Sequence, residues 1–352
     1  MRAYAEYMAR HDGRHSILNK FLVAIFIKKY YFCIMNNNRQ PLISFIITCY
    51  NLPVEMLAEC IDNILTLSLG KDEREIVLVD DGSDTSLTGL LDERGNEITY
   101  IRQTNKGISE ARNTGLRVAT GRYVQFVDGD DYLIPESYEQ CLDIVRHEKP
   151  DMVLFKFTRT SPQHIRPTYK KASPVSGTQY MLNNNVRDTV CCYVFRKETH
   201  DGIWFTPGAL YEDGEFTSQL ILQANKIYDT DITAYYYRKR ERSITTNKAR
   251  RNIIKRLNDM EHVITRLDGL ARKLPKEKEE ALRRRIAQLT MDYIYNTVTF
   301  TRSKRQFTAR IARLEAKGLF PLPKHNYTSK YTLFRIVSKN KAVRNVMSII
   351  LK

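Results

Sequence analysis

The chain has 352 residues, 42% of them apolar and 10% aromatic, enough for one large domain or two ordinary ones around a core, which excludes a disordered or fibrous class. Its formal net charge of +16 at pH 7 bears on partners and not on fold, and leaves nucleic acid, an anionic membrane face and phosphorylated substrates open. Cys33, Cys49, Cys60, Cys141, Cys191 and Cys192 form no C-x-x-C pair, so neither a zinc site nor a disulfide framework is expected, and reduced thiols in a cytosolic protein are the simpler reading.

Residues 1–40 read as an N-terminal extension. Its apolar run Phe21–Ile27 is stopped by Lys28-Lys29 and resumes at Tyr30–Met35. That is short of the roughly 18 to 20 residues that span a bilayer, and no small-residue cleavage site follows. It suits either a short interfacial helix or an upstream extension ahead of a natural start at Met35.

From Pro41 the pattern becomes regular. Leu42–Thr48 reads as a strand buried on both faces. Pro53 opens a helix with Met56, Leu57, Cys60, Ile61, Ile64 and Leu65 on its apolar face. Glu75–Val79 is a second strand, ending in Asp80-Asp81-Gly82-Ser83. A short helix at Leu87–Leu91, a third strand at Ile98–Arg102 and a helix at Ile108–Ala119 follow. The fourth strand, Tyr123–Val127, runs into Asp128-Gly129-Asp130-Asp131. Strands and helices alternating at this spacing imply βαβ units and a mainly parallel sheet. Right-handed crossovers put every strand's carboxyl end on one rim, so Tyr50-Asn51, Asp80-Asp81 and Asp128–Asp131 meet there.

Downstream, Pro135–His147 reads as a helix, Asp151–Phe157 as a strand, residues 159–175 as loop and Val190–Phe195 as a strand. Tyr211-Glu212-Asp213-Gly214-Glu215 leads into a helix at Phe216–Ala224, and Ile232–Tyr237 is a strand followed by the charged Arg238–Ser243. These elements bound an α/β domain over residues 41–245. Residues 246–352 form a mostly helical basic region, with thirteen Lys/Arg against Glu315 alone from Thr301 to Lys352. Ile336, Val337, Val343, Val346, Met347, Ile349, Ile350 and Leu351 alternate there with Lys339, Lys341, Arg344 and Lys352. The pattern suits either a basic amphipathic helix on an anionic membrane surface or a solvated helical face packed on the main domain.

Asp-x-Asp at a strand's carboxyl end puts two carboxylates where open α/β sheets bind ligands. Hard oxygens there suit Mg²⁺ or Mn²⁺, which keeps waters and completes its shell with substrate phosphates. The motif by itself also fits an acidic turn; its place in the ordered series of rim clusters favours the metal.

The series Ser44-Phe-Ile-Ile-Thr-Cys-Tyr-Asn51, Ile76-Val-Leu-Val-Asp-Asp-Gly-Ser83, Asn105-Lys-Gly-Ile-Ser-Glu-Ala-Arg-Asn-Thr-Gly115 and Phe126-Val-Asp-Gly-Asp-Asp131 resembles the family 2 glycosyltransferases. The resemblance implies a GT-A fold, a Rossmann-like and mainly parallel sheet flanked by helices. It also implies a nucleotide-activated sugar donor, a divalent metal and inversion at the anomeric centre. The residue chemistry allows matching roles. Thr48, Tyr50 and Asn51 follow the first strand, where a tyrosine ring can stack on a nucleobase. Asp80 or Asp81 can accept from a base N–H. Asn105 and Gly107 shape the turn before Arg112, whose guanidinium forks onto phosphate or base oxygens, or else is an ordinary solvated arginine. Asp130 is expected as the direct metal ligand, with Asp128 on the ribose or a metal-bound water and Gly129 between them. Asp131 suits a third acid or a helix cap. Glu212-Asp213 resembles the family's Glu-Asp base motif, with Asp213 at the catalytic position; a cap for the following helix is the alternative. Arg238, Arg240 and Ser243 match a segment that closes over the diphosphate in relatives, or a plain charged loop after an edge strand.

The expectation is a cytosolic transferase, resting on the inner membrane face, that uses Mn²⁺ or Mg²⁺. It adds one sugar from a nucleoside-diphosphate donor, UDP by resemblance, to a glycan or lipid-linked acceptor. A non-catalytic nucleotide-sugar-binding protein is one alternative. A basic nucleic-acid binder is another, disfavoured because the chain has no recognisable nucleic-acid motif and acids on the rim repel phosphates. A processive synthase is disfavoured by the lack of spanning segments and of a Gln-x-x-Arg-Trp sequence at Trp204.

Overall fold

The computed structural model describes residues 40–94, 97–160, 173–239 and 249–340. Strand β1 (Ile43–Cys49) is buried along its whole length, as an apolar strand with neighbours on both faces must be. Helix α1 (Val54–Leu65), β2 (Arg74–Asp80), α2 (Thr88–Arg94), β3 (Ile98–Arg102), α3 (Ile108–Val118) and β4 (Tyr123–Asp128) follow in alternation. β1 pairs in parallel with both β2 and β4, and β2 with β3. The register sets Cys49 beside Asp80, Thr48 beside Asp128 and Asp80 beside Arg102, so the polar residues that end these strands share one rim. Two glycines make the layers close. A Cβ at Gly115 of α3 would lie 2.2 Å from Ile46 Cγ2, and one at Gly121 would lie 2.6 Å from the Ser44 nitrogen.

The second half adds β5 (Tyr132–Leu133), α4 (Pro135–Glu148), β6 (Met152–Thr158), α5 (Gly177–Asn183), β7 (Tyr193–Arg196), α6 (Glu212–Gln223) and β8 (Ile227–Tyr236). The eight strands run in the order β3-β2-β1-β4-β7-β6-β8-β5. β7 is antiparallel to β4 and β6, β8 is parallel to β6, and β5 is antiparallel to β8. Three readings change here. Val190–Cys192 is a 3-10 turn, and the strand starts only at Tyr193. α6 begins at Glu212, one turn before Phe216, so Glu212 and Asp213 lie inside its first turn. β8 starts at Ile227, not Ile232. Helix α5, begun by Ser176 whose Oγ accepts the Gln179 N–H, follows the span read as loop, most of which (161–172) lies outside the described residues.

The C-terminal helices are α7 (Arg250–Ala271), α8 (Lys276–Thr301), α9 (Lys304–Ala316) and α10 (Ser329–Lys339). The first three are knotted at Glu261, which accepts from Tyr293 at 2.7 Å, Arg313 at 2.8 Å and Lys317 at 3.0 Å. Burial alone would raise this carboxylate; the hydrogen bonds from Arg313, Tyr293 and Lys317 outweigh it and bring the pKa to about 2. The described residues from Pro41 onward cluster as one compact unit, and α8 meets α5 through the Arg284 guanidinium, which donates to the Met181 carbonyl at 2.8 Å.

Candidate active site

The rim is a set of turns that hold one another. Asn51, in the left-handed region at φ 48°, donates its N–H to Ser83 Oγ at 2.9 Å and trades side-chain bonds of 3.0 and 2.7 Å with Asp84. It braces the β1 turn against the β2 turn. Beside it Tyr50 leaves its ring 49% exposed. Thr48 is buried, and its Oγ1 has no hydrogen-bond partner among the described residues.

Asp80 is buried and accepts from the Ser83 N–H at 2.8 Å and the Tyr100 hydroxyl at 2.9 Å. Asp81 accepts from Gln103 Nε2 at 2.7 Å, the Lys106 N–H at 2.9 Å and the Gly107 N–H at 2.8 Å. A carboxylate has about four acceptor positions, so Asp81 mainly fixes the turn that launches α3 and leaves one position unused. Gly107 takes φ 87° there and Asn105 is exposed.

Arg112, one turn into α3, is the centre of the site and is 4% exposed. Its Nη1 lies 2.6 Å from Asp213 Oδ1 and 3.2 Å from Glu212 Oε1, and its Nη2 lies 3.0 Å from Asp128 Oδ1. The expected fork onto phosphate or base is therefore a fork onto three carboxylates. The guanidinium carbon also sits 5.4 Å from the Phe205 ring and 5.9 Å from Phe126, and Phe205 stacks on Phe216 at 3.9 Å. Such a cation can stay charged out of water because both Nη atoms meet carboxylates and the guanidinium meets π density, while its buried Nε has no hydrogen-bond partner among the described residues.

Asp213 is reached by Arg112 on Oδ1 and by the Val190 N–H on Oδ2 at 3.3 Å, yet a quarter of its side chain (25%) remains exposed. Burial pushes its pKa up, Arg112 opposes this and Asp128 adds to it. Burial, with Asp213 alongside, carries Glu212 to about 7. Neither acid serves as the helix cap, since Tyr211 holds that position without a side-chain bond.

Gly129 lets the acidic turn lie on β1: its N–H donates to the Thr48 carbonyl at 3.0 Å, and a Cβ would sit 3.0 Å from that same oxygen. Asp128 is 29% exposed and Asp130 is half-buried on the same turn. Asp131 is buried and turns inward. It accepts from the Tyr235 hydroxyl at 2.9 Å and the Arg238 N–H at 2.8 Å, tying the acidic turn to the end of β8. This replaces the helix-cap reading, because α4 is capped at Ile134 with no side-chain bond. Burial first, then Asp128 and Asp130, raise its pKa to about 8. The Arg238 guanidinium pairs with Glu59 and lies 5.7 Å over the Tyr132 ring. Arg240 and Ser243 lie outside the described residues.

Among the described residues no three His, Cys, Asp or Glu side chains stand together as a metal cage. Asp128 and Asp130 instead present hard carboxylate oxygens on one turn. That donor set fits Mg²⁺ or Mn²⁺ sharing its shell with phosphate oxygens and water. The sequence motifs did not announce Val190, Phe205 or Phe216; apolar residues and a backbone N–H carry no local signal of a site.

Residues 44–203 match the model of glycosyl transferase family 2. The chain is 29% identical over 220 residues to the uncharacterized glycosyltransferase EpsJ of Bacillus subtilis, covering 58% of this chain and 63% of that protein. It is 27% identical over 224 residues to the minor teichoic acid biosynthesis protein GgaB of B. subtilis, covering 59% and 24%. The chain thus spans less than two thirds of the length of these relatives. Among solved structures, residues 1–349 of TarS from Staphylococcus aureus superpose with a TM-score of 0.59 at 20% identity, covering 88% of each chain. The mannosyltransferase PcManGT of Pyrobaculum calidifontis, in complex with GDP-Man and Mn²⁺, gives 0.51 at 17% identity over 89% of this chain and 85% of that one. At such identities the superpositions establish a shared GT-A fold. Residues 44–203 thus carry the sequence match to glycosyl transferase family 2, within a chain whose fold is GT-A.

Proposed function

We propose that this chain is a metal-dependent, inverting glycosyltransferase. It moves one sugar from a nucleoside-diphosphate donor, a UDP-sugar in first place, to a hydroxyl of a glycan or lipid-linked acceptor. The observation that carries this reading is the Arg112 cluster, which joins the Asp128 turn to Asp213, 101 positions beyond Arg112 in sequence. Leaving-group and proton-accepting carboxylates belong side by side in such a reaction. The relatives named for teichoic acid synthesis (GgaB) and for poly(ribitol-phosphate) β-N-acetylglucosaminyl transfer (TarS, 27% identical over 202 residues) support an acceptor in cell-envelope polysaccharide biosynthesis. No helix among the described residues is long and apolar enough to cross a membrane; we assign the reaction to the cytoplasmic face, peripheral to an anionic bilayer.

In this reading the half-exposed Tyr50 ring stacks on the base, and Asn51, Asn105 and Gly107 shape the walls of the nucleoside pocket. Asp81 spends its remaining acceptor position on a base N–H. Asp130 and Asp128 would hold the divalent ion, which when bound would supply positive charge to stabilise the departing diphosphate. Arg238 adds a cationic contact to it. Asp213 takes the acceptor's proton while the acceptor oxygen bonds to the anomeric carbon and the carbon–oxygen bond to diphosphate breaks, the electron pair leaving with the diphosphate. Attack opposite the leaving group inverts the centre. A general base works best with a pKa near the operating pH. Burial moves Asp213 that way, and Arg112 keeps it ionised.

The test is a panel of nucleotide sugars with Mn²⁺, scoring nucleotide release with the wild-type chain, with chelator and with Asp130→Ala. Release that needs the metal and falls by orders of magnitude in the variant is expected. Unchanged release in Asp130→Ala overturns the metal assignment, and no release from any donor with any acceptor overturns the enzyme.

A further inference from the structure

Asp213 is held from outside its own helix. The Val190 N–H that reaches its Oδ2 belongs to a loop gripped by α8, a helix of the C-terminal region. Arg285 of α8 is fully buried. Its Nη2 pairs with Asp188, its Nη1 donates to the Val186 carbonyl at 3.1 Å, and its Nε donates to Ser218 Oγ of α6 at 3.0 Å. Ser218 in turn donates to the Gly214 carbonyl at 2.5 Å. Gln288, nearly one turn further on, brackets Val186 with bonds of 3.2 Å to its N–H and its carbonyl. The second Asp188 oxygen accepts from the Tyr211 hydroxyl, and Tyr211 is the residue on which α6 begins. A Cβ at Gly214 would lie 2.5 Å from the Tyr211 ring, so the glycine lets that ring lie on the first helical turn.

We infer that Arg285 is a positioning residue for Asp213: through Asp188, Tyr211, Val186 and Ser218 it locks the loop carrying Val190 to the first turn of α6. The two oxygens of Asp213 then meet fixed donors from opposite sides, Arg112 on one and Val190 on the other. A base must stand within hydrogen-bond reach of its proton, and a misplacement of about 1 Å costs on the order of a hundredfold in rate. The C-terminal helices thus act on the chemistry as well as on stability. The inference rests on Asp213 being the base.

The test uses the full chain and three variants. Arg285→Lys keeps the charge and loses the fork, Arg285→Met loses both, and Tyr211→Phe removes one hydroxyl at the far end of the chain of contacts and covers the case in which Arg285→Met does not fold. Nucleotide release is measured with the donor returned by the panel above, UDP binding with Mn²⁺ present, and amide hydrogen exchange at Val190. We expect Tyr211→Phe and Arg285→Lys to lower kcat by roughly tenfold or more while UDP affinity stays within about twofold. The acid limb of the kcat profile moves, Val190 exchanges faster, and Arg285→Lys retains more activity than Arg285→Met. Variants that melt earlier but keep kcat, the acid limb and Val190 protection overturn the inference and leave Arg285 a structural residue. Asp213→Asn separates the two claims. If that variant still transfers sugar, the base assignment fails, while Val190 exchange in Tyr211→Phe still reports whether α8 holds this loop.

Discussion

Glu212 and Asp213 share a helical turn and a cation but differ in reach. Asp213 is 25% exposed and Glu212 13%, so in the proposed reaction the aspartate is the acid open to an acceptor while the glutamate mainly balances Arg112. Asp213→Asn is expected to lower kcat by about 10²–10⁴-fold, the usual worth of a positioned base, with UDP binding retained; Glu212→Gln is expected to cost far less. Steady-state kinetics on both variants checks the order. The pH profile follows from the same residues. The proposed base works ionised, and burial raises its pKa from the ordinary aspartate value, so activity is expected to fall with falling pH sooner than a free aspartate would allow. Arg112→Met removes the influence that lowers this pKa and moves the acid limb further up. It also leaves three carboxylates without their cation, a loss of about 3–5 kcal/mol for a broken buried pair. The loss shrinks as pH drops and Glu212, near 7, takes up a proton. Denaturant melts at pH 8 and pH 6 report that difference.

Elements in this chain are packed backbone to backbone at a few glycines, and these are where a single methyl group matters. At Gly177 a Cβ would lie 1.6 Å from the Ile221 carbonyl oxygen, so α5 can approach α6 only without a side chain. Gly177→Ala is expected to destabilise by about 3 kcal/mol, the upper end of ordinary overpacking costs. Gly269 is the control. It sits exposed in α7 with open space around its missing Cβ, and Gly269→Ala should stabilise by about 0.5–1 kcal/mol through helix propensity. Urea midpoints at constant m value distinguish the two outcomes.

Across the whole molecule the basic excess has a direction. From Ala316 to Asn340 the chain carries Lys317, Lys324, Lys330, Arg335 and Lys339 and no acid. On α10 Leu333 and Ile336 are 64% and 59% exposed. The proposed peripheral attachment predicts sedimentation with phosphatidylglycerol vesicles and not with phosphatidylcholine vesicles. Each cation near the surface contributes about 1 kcal/mol, screened by salt. Leu333→Glu with Ile336→Glu should abolish sedimentation and leave nucleotide release intact; sedimentation unchanged by either salt or substitution would remove the membrane from the picture. The rest of the predicted amphipathic stretch, from Lys341, lies outside the described residues.

Much of the first half was legible in the linear pattern. Apolar strand runs, the turns after them and the alternation with helices are local, so β1 to β4, their helices and the rim that gathers Tyr50, Asp81 and Asp128 follow from neighbours in sequence. The fate of the charges on that rim was not. Arg112 has the local signature of a helix arginine, and only the packing of α6 beside β4 turns it into the hub of three carboxylates. Arg283, Arg284 and Arg285 are consecutive in sequence, yet they go to Asp268 and Glu279, to the Met181 carbonyl, and to Asp188. Periodicity records which face of an element is apolar; it holds no information on which distant partner will desolvate a charge. That choice is made by long-range contacts, and it decides which acid stays reachable, which is neutralised and which helix grips the loop beside Asp213.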